Sequence, residues 1–180
     1  QTFEGCDGTS WIAFHVTDSG TGSSGALYAI GDPGPAGGTV FHITEGGLHG
    51  LEAAPADQGR VTWGCYGIPI NGADGTAVWT GAQNTIDILA GCNEANIAAK
   101  KADDYTLGGY SDWYLPSKDE LNLLYLQKDV VGGFIREWYW CSTDNNSNNA
   151  YAWAQSFDGG AAFNFFGKSL ALPVRAVRDF

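Results

Sequence analysis

The stretch Cys141 to Ser169, C-S-T-D-N-N-S-N-N-A-Y-A-W-A-Q-S-F-D-G-G-A-A-F-N-F-F-G-K-S, concentrates residue types that bind without reacting. Asn and Ser side chains both donate and accept hydrogen bonds while carrying no charge, and aromatic rings add contact area at small entropic cost. The run Asn145, Asn146, Asn148, Asn149 followed by Tyr151 therefore reads as a ligand-facing loop, against the plainer reading of an Asn-rich turn. Trp153, Gln155 and Phe157 alternate with Ala154, Ser156 and Asp158. That pattern assigns the large face to the core and turns the small one outward beside the Asn loop. In a regular strand Phe163 and Phe165 point one way and Phe166 the other, with Asn164 between, so at least one aromatic should be exposed. Asn145-Asn146-Ser147 also matches a glycosylation sequon, for which a chance match is the preferred reading.

Residues capable of catalysis do not assemble into a recognisable set. His15, His42 and His49 form no H-E-x-x-H and stand beside no nucleophile signature, and no G-x-x-x-x-G-K-[ST] loop is present. The paired carboxylates Asp103–Asp104 and Asp119–Glu120 are adjacent, whereas acid/base work on a glycoside needs two groups across a cleft. Asp119 and Glu120 are better explained by the first turn of a helix. Asp103, Asp104 and Asp112 could contribute to a structural calcium site, although their spacing matches no EF-hand. The expectation is a binding protein, not an enzyme, without a catalytic metal or cofactor. Cys6, Cys65, Cys92 and Cys141 include no C-x-x-C pair, so disulfides are favoured over metal ligation, with three connectivities open. Disulfides in turn favour an extracellular location.

Two helices and a strand series must position the candidate loop. Asn84 is the expected N-cap of a first helix carrying Ile86, Leu89 and Ala90 on one face, broken at Gly91 and resuming from Ala95 to Asp103. Ser117 and Glu120 form a capping box after Pro116, opening a second helix with Leu121, Leu124 and Tyr125 at helical spacing. From Gly133 onward, short runs at 137–142, 150–157, 161–166 and 172–178 predict an antiparallel β-meander, and thus an α+β fold. A further strand is expected from Thr39 to Ile43, after the turn-forming G-D-P-G-P-A-G, which is too short a Gly repeat for collagen. Residues 1–26 read as an N-terminal extension with a Gly/Ser linker and residues 27–180 as the main domain.

Nine basic residues against twenty acidic ones give a net charge of −11, which repels phosphate backbones and argues against a nucleic-acid partner. No apolar segment is long enough for membrane insertion.

Y-A-I-G-D-P-G-P-A-G-G-T-V-F, W-G-C-Y-G with G-A-D-G-T, N-T-I-D-I-L-A-G-C, G-G-Y-S-D-W-Y-L-P-S-K-D-E-L, Y-W-C-S-T and V-R-A-V-R, in this order, resemble the Lcl C-terminal family of bacterial collagen-like adhesins. The resemblance runs from about Tyr28 to Phe180. It implies a C-type-lectin-like fold of the formylglycine-generating-enzyme branch, lacking that branch's paired catalytic cysteines. It also implies a Cys65–Cys92 disulfide and an adhesive role at a cell surface or on a phage tail, with a cell-surface protein or glycan as ligand. The alternative is a homotrimeric stalk tip without its own ligand. The same likeness extends to variable proteins of diversity-generating retroelements. There the Asn codons at 145, 146, 148, 149 and 164 would be rewritten, and Ala161, Phe163, Phe165, Phe166 and Ser169 are outcomes such codons allow. Sulfated glycans fit poorly, because Lys168, Arg175 and Arg178 are the only cations after Glu137.

Overall fold

The computed structural model describes residues 27–180; the expected extension and linker over residues 1–26, with Cys6 and His15, lie outside the described residues. The described chain is α+β. Strands β1 (Thr39–Thr44) and β2 (His49–Ala53) form a hairpin, and β3 (Arg60–Thr62) follows. Helices α1 (Gly81–Gly91), α2 (Ala98–Asp103), α3 (Lys118–Leu126) and α4 (Lys128–Val131) fill the middle of the chain. The C-terminal part holds β4 (Trp138–Asp144), β5 (Tyr151–Ser156), β6 (Ala162–Gly167), β7 (Ala171–Pro173) and β8 (Val177–Asp179). β4, β5 and β6 make the expected antiparallel meander, with β6 at its edge.

The expected last strand, 172–178, is divided. β7 pairs with β3 and β8 with β2, so the chain changes sheets at Val174, Arg175 and Ala176. Val174 still bonds Gly59 and Gln58 beside β3, whereas the Ala176 carbonyl already accepts the Ala54 N–H beside β2. The break lets the Arg175 side chain enter the interior, where it is fully buried. It donates from Nε to Asp57 at 2.8 Å, from Nη1 to the Ala54 carbonyl at 3.1 Å and from Nη2 to the Gly133 carbonyl at 2.9 Å. Its guanidinium also lies 4.1 Å from the Phe134 ring centroid. Arg178 takes a parallel course to Glu52 at 3.0 Å and to Asp112 at 2.6 Å, and this contact holds the Asp112 carboxyl below the usual range.

Glu52 is itself fully buried and accepts the N–H groups of Ala36 and Gly38. A Cβ at Gly38 would stand 2.6 Å from the Ala53 carbonyl oxygen, and one at Gly34 would stand 2.5 Å from the Glu52 carboxylate. The G-D-P-G-P-A-G-G run is therefore glycine-rich because it wraps a carboxylate closely.

The capping box forms as expected: Ser117 accepts from the Glu120 N–H, and Glu120 accepts from the Ser117 N–H at 2.8 Å. Glu120 reaches further, accepting the Trp79 N–H at 2.7 Å and so fixing the approach to α1; burial raises its pKa. The D-W-Y-L-P segment connects the two cores. Trp113 and Leu115 lie in the first, while Tyr114 exchanges backbone hydrogen bonds with Val177.

α1 begins four residues before the expected start, with Thr80 and not Asn84 at its N-cap. Asn84 is buried inside it, bonding the Gly75 backbone from both ends of its amide. The buried face is Gly81, Asn84, Thr85 and Ile88, and Ile86 is exposed. A buried polar anchor at a helical position has the same residue type as an N-cap, which is why the two readings differ by one turn.

β4 and β5 are covered on both faces, whereas β6 stays partly open to water. Trp140, Ala152 and Ala154 contribute to a core with Trp63, Trp113, Ile88 and Ile97. Tyr139, Cys141 and Phe157 meet Leu121 and Leu124 of α3 in the second core. Cys141 is a buried thiol that donates to the Trp153 carbonyl at 3.3 Å, and burial pushes its pKa up to about 12.

Replacing Arg175 with Ala leaves the Asp57 charge and the carbonyls of Ala54, Gly132 and Gly133 without their partner, and should cost about 3–5 kcal/mol in urea denaturation. In a Cys6→Ser variant, Cys141 should resist iodoacetamide at pH 8 until denaturant is added; labelling of the native protein would contradict a buried, protonated thiol.

Candidate functional site

The candidate loop is built by a break in the ladder. Trp140 pairs with Ala154 and Asp144 with Ala152, so β4 carries two extra residues between these pairs. Within the bulge, Thr143 donates to the Gly75 carbonyl at 2.8 Å and accepts from the Lys118 N–H at 3.0 Å. Asp144 then receives the fully buried Lys168 at 2.8 Å, and that ammonium also lies 4.4 Å from the Trp63 ring centroid. The strand that leads into the Asn loop is thus fixed by an internal ion pair before the loop begins.

The Asn side chains divide into scaffold and surface. Asn145 is buried. Its Oδ1 accepts the Ser147 N–H at 3.0 Å and its Nδ2 donates to the Asn164 carbonyl of β6. The sequon at Asn145 is therefore closed to modification in the folded chain. Asn148 accepts the Ala150 N–H at 3.0 Å while remaining exposed, and Asn146 donates to Asp74 at 2.7 Å.

Asn149 is half-buried, and its carbonyl accepts the Gly67 N–H at 3.1 Å. Asn71, Asp74, Asp144, Asn146 and Asn149 line a polar cleft of about 280 Å³. Its second wall is the segment 63–80, which has no helix or strand. Cys65–Cys92 ties that wall to the end of α1, as the family resemblance implied, closing a loop of 27 residues. Such closure stabilises by about 3–4 kcal/mol in a chain-entropy account.

This wall escaped the sequence reading, which took G-A-D-G-T as a turn. A turn is what it forms, but one that presents Asp74 to Asn146. Tyr66, 59 % exposed, and Ile68 lie on the same segment. The Cys65–Cys92 pairing was the one sequence signal that could have brought this segment toward the loop.

The outward assignment of Ala154 and Ser156 is corrected. Ala154 is 1 % exposed and Ser156 is buried, its hydroxyl accepting the Asp158 and Gly159 N–H groups at 3.3 Å. Alternation presumes one wet face, whereas β5 has a core on each side. Gln155 and Phe157 are buried as expected, Trp153 is half-buried, and Tyr151 is likewise half-buried.

The orientation of the Phe run is also corrected. Ala152 pairs with Phe166 and Ala154 with Phe163, so β6 carries an extra residue between them. A bulge of this kind puts Phe163 and Phe166 on one side, not opposite sides. Both reach Trp138, at 5.6 and 4.4 Å between centroids. Exposure of at least one ring holds: Phe163 is 41 % and Phe165 58 % exposed, with centroids 4.8 Å apart.

Asp158 and Ala161, both exposed, lie at the β5–β6 turn, at the other end of the meander from the Asn loop. Six residues of strand separate them, roughly 20 Å. Ser169 is exposed beside the Asn loop, where the Lys168 N–H bonds the Ala150 carbonyl.

The carboxylates considered for calcium do not converge. Asp103 and Asp104 pair with Lys100, and Asp112 pairs with Arg178. Among the described residues, the three side chains close enough to share a metal are Cys65, Cys92 and Glu94, whose two sulfurs are already bonded to each other. No helix among the described residues is long and apolar enough to cross a membrane.

The chain belongs to the Lcl C-terminal domain family, matching it over residues 56–178. That span includes W-G-C-Y-G, I-L-A-G-C, D-W-Y-L-P-S-K-D-E-L and V-R-A-V-R but not the preceding glycine-rich turn. No curated protein gives a significant match to the chain. Family membership places it, in general terms, among ligand-binding and adhesion-type modules.

Phe165→Ala should leave the midpoint of urea unfolding nearly unchanged, whereas Phe166→Ala should cost on the order of 2 kcal/mol because its ring is wedged against Trp138. Equal costs would mean that Phe165 is part of the core.

Proposed function

We propose that this chain is an extracellular, C-type-lectin-like adhesion module without catalytic activity, displayed at a cell surface or on a phage tail. It binds a cell-surface protein or glycan through one side of the meander. The contact residues in this reading are Asn146, Asn148, Asn149, Tyr151, Phe163, Asn164, Phe165 and Ser169. Asn145, Ala154, Ser156 and Phe166 support them from below. Asp158 and Ala161 enter only if the ligand spans the whole strand length.

The observation that carries this reading is the electrostatic state of the surface. Lys168, Arg175 and Arg178 are each buried in ion pairs, so the cations of the last strands are withdrawn from the surface. What remains around the Asn loop and the outer rings of β6 is a set of amides, aromatic rings and the Asp74 carboxylate, suited to a neutral or mixed polar ligand and unsuited to a sulfated one. The same positions would be the variable ones if a retroelement diversifies the gene. A near-copy of the coding segment with adenines at those codons, beside a reverse transcriptase, is the observation that would decide this.

Immobilised protein should retain a surface protein or glycan from a cell extract. Asn146→Ala combined with Phe165→Ala should reduce retention at least tenfold without lowering the melting temperature appreciably. Retention unchanged by the pair would overturn the assignment. Light scattering that gave a homotrimer, with nothing retained, would favour the stalk-tip alternative.

A further inference from the structure

Trp79 belongs to neither core and lies outside the meander, yet the backbone is distorted to present it. Its φ is +75°, in the left-handed region that a bulky side chain rarely enters. Such a conformation persists only where its surroundings impose it. Here the Trp79 N–H is held at 2.7 Å by the buried Glu120 carboxylate, the same group that completes the α3 cap. The indole leans on His42, with ring centroids 5.9 Å apart, and remains 44 % exposed. A large ring is thus fixed in orientation and left in contact with water.

The space beside it is a cleft of about 340 Å³ lined by Thr44, His49, Trp79, Asp179 and Phe180. This is at the lower end of the roughly 300–1,000 Å³ of small-ligand sites, enough for one or two rings. Its walls are of two kinds. Trp79 and Phe180 offer apolar faces. Thr44, His49 and Asp179 offer a hydroxyl, an imidazole and a carboxylate. His49 is steadied by the Phe180 carbonyl, 3.3 Å from Nδ1, with Glu45 3.9 Å from Nε2.

An apolar ligand would desolvate Asp179 without a partner. A phosphate or sulfate would meet Asp179 and Glu45 with no Lys or Arg in the lining. A neutral pyranose suits both kinds of wall: its C–H face stacks on the indole and its hydroxyls bond the carboxylate and the imidazole.

We propose that Trp79, Asp179 and His49 form a neutral-carbohydrate site on the β1–β2–β8 sheet, separate from the meander surface. The test is an array of neutral oligosaccharides ending in hexoses or N-acetylhexosamines, with a lysine-rich peptide as a cationic control. The wild-type chain should retain at least one neutral oligosaccharide. Both Trp79→Gly and Asp179→Asn should lower that affinity at least tenfold, while Phe165→Ala should not affect it.

Trp79→Gly removes the indole and suits the left-handed backbone, so it should melt within a few degrees of wild type. Asp179→Asn leaves ring and backbone in place, and decides the matter if Trp79→Gly does not fold. Retention of no neutral sugar, capture of the lysine peptide alone, or undiminished binding by either folded variant would overturn the site. Loss of binding in Phe165→Ala would assign the sugar to the meander instead.

Discussion

The Arg175 guanidinium draws together segments that lie far apart in the chain. It is taken fully out of water, and every part of its planar fork is answered: Asp57 between β2 and β3, the Ala54 carbonyl at the end of β2, and the carbonyls of Gly132 and Gly133 behind α4. The Tyr139 hydroxyl donates to the other Asp57 oxygen, which brings β4 into the same network. Burying a charge in this way is tolerated because no partner is missing, and it requires all these segments to be in place together. The hairpin, the end of the helical region and the meander are therefore linked through a single residue of the V-R-A-V-R end.

Two other ion pairs repeat this arrangement. Arg178 meets Glu52, which gathers the glycine-rich turn, and Lys168 meets Asp144 at the root of the Asn loop. The consequence for the surface is indirect. A chain with net charge −11 has few cations, and it commits the three that follow Glu137, Lys168, Arg175 and Arg178, to the interior. The candidate face keeps amides, rings and the carboxylates of Asp74 and Asp158, within the negative field that the acidic excess sets around the molecule.

The two bulges let the same sheet supply both core contacts and exposed side chains. The extra residues in β4 turn Ser142 and Thr143 away from the ladder toward Pro116, Gly75 and Lys118. The extra residue in β6 tilts its aromatic run so that Phe166 anchors on Trp138 and Phe165 projects. Regular pairing would have buried or exposed whole alternating sets. Bulged pairing lets adjacent residues be assigned separately, and so a short edge strand can supply both a core contact and an exposed ring.

By itself the sequence determined what depends on near neighbours: the Ser117–Glu120 capping box, the antiparallel β4–β6 series, the turn at Gly72 to Thr76 and, through the family motifs, Cys65–Cys92. Each is encoded within a few residues or in an ordered motif. The tertiary structure alone decided which residues of those elements are wet. Ala154 and Ser156 are buried because a second core covers the other face of β5, and Asn145 is turned inward because Asn164 needs a donor. Asp74 stands beside Asn146 because the disulfide and the Asn84 amide hold a distant segment there. Alternation reports that a strand has two faces. Which of them meets water depends on what the rest of the chain packs against it.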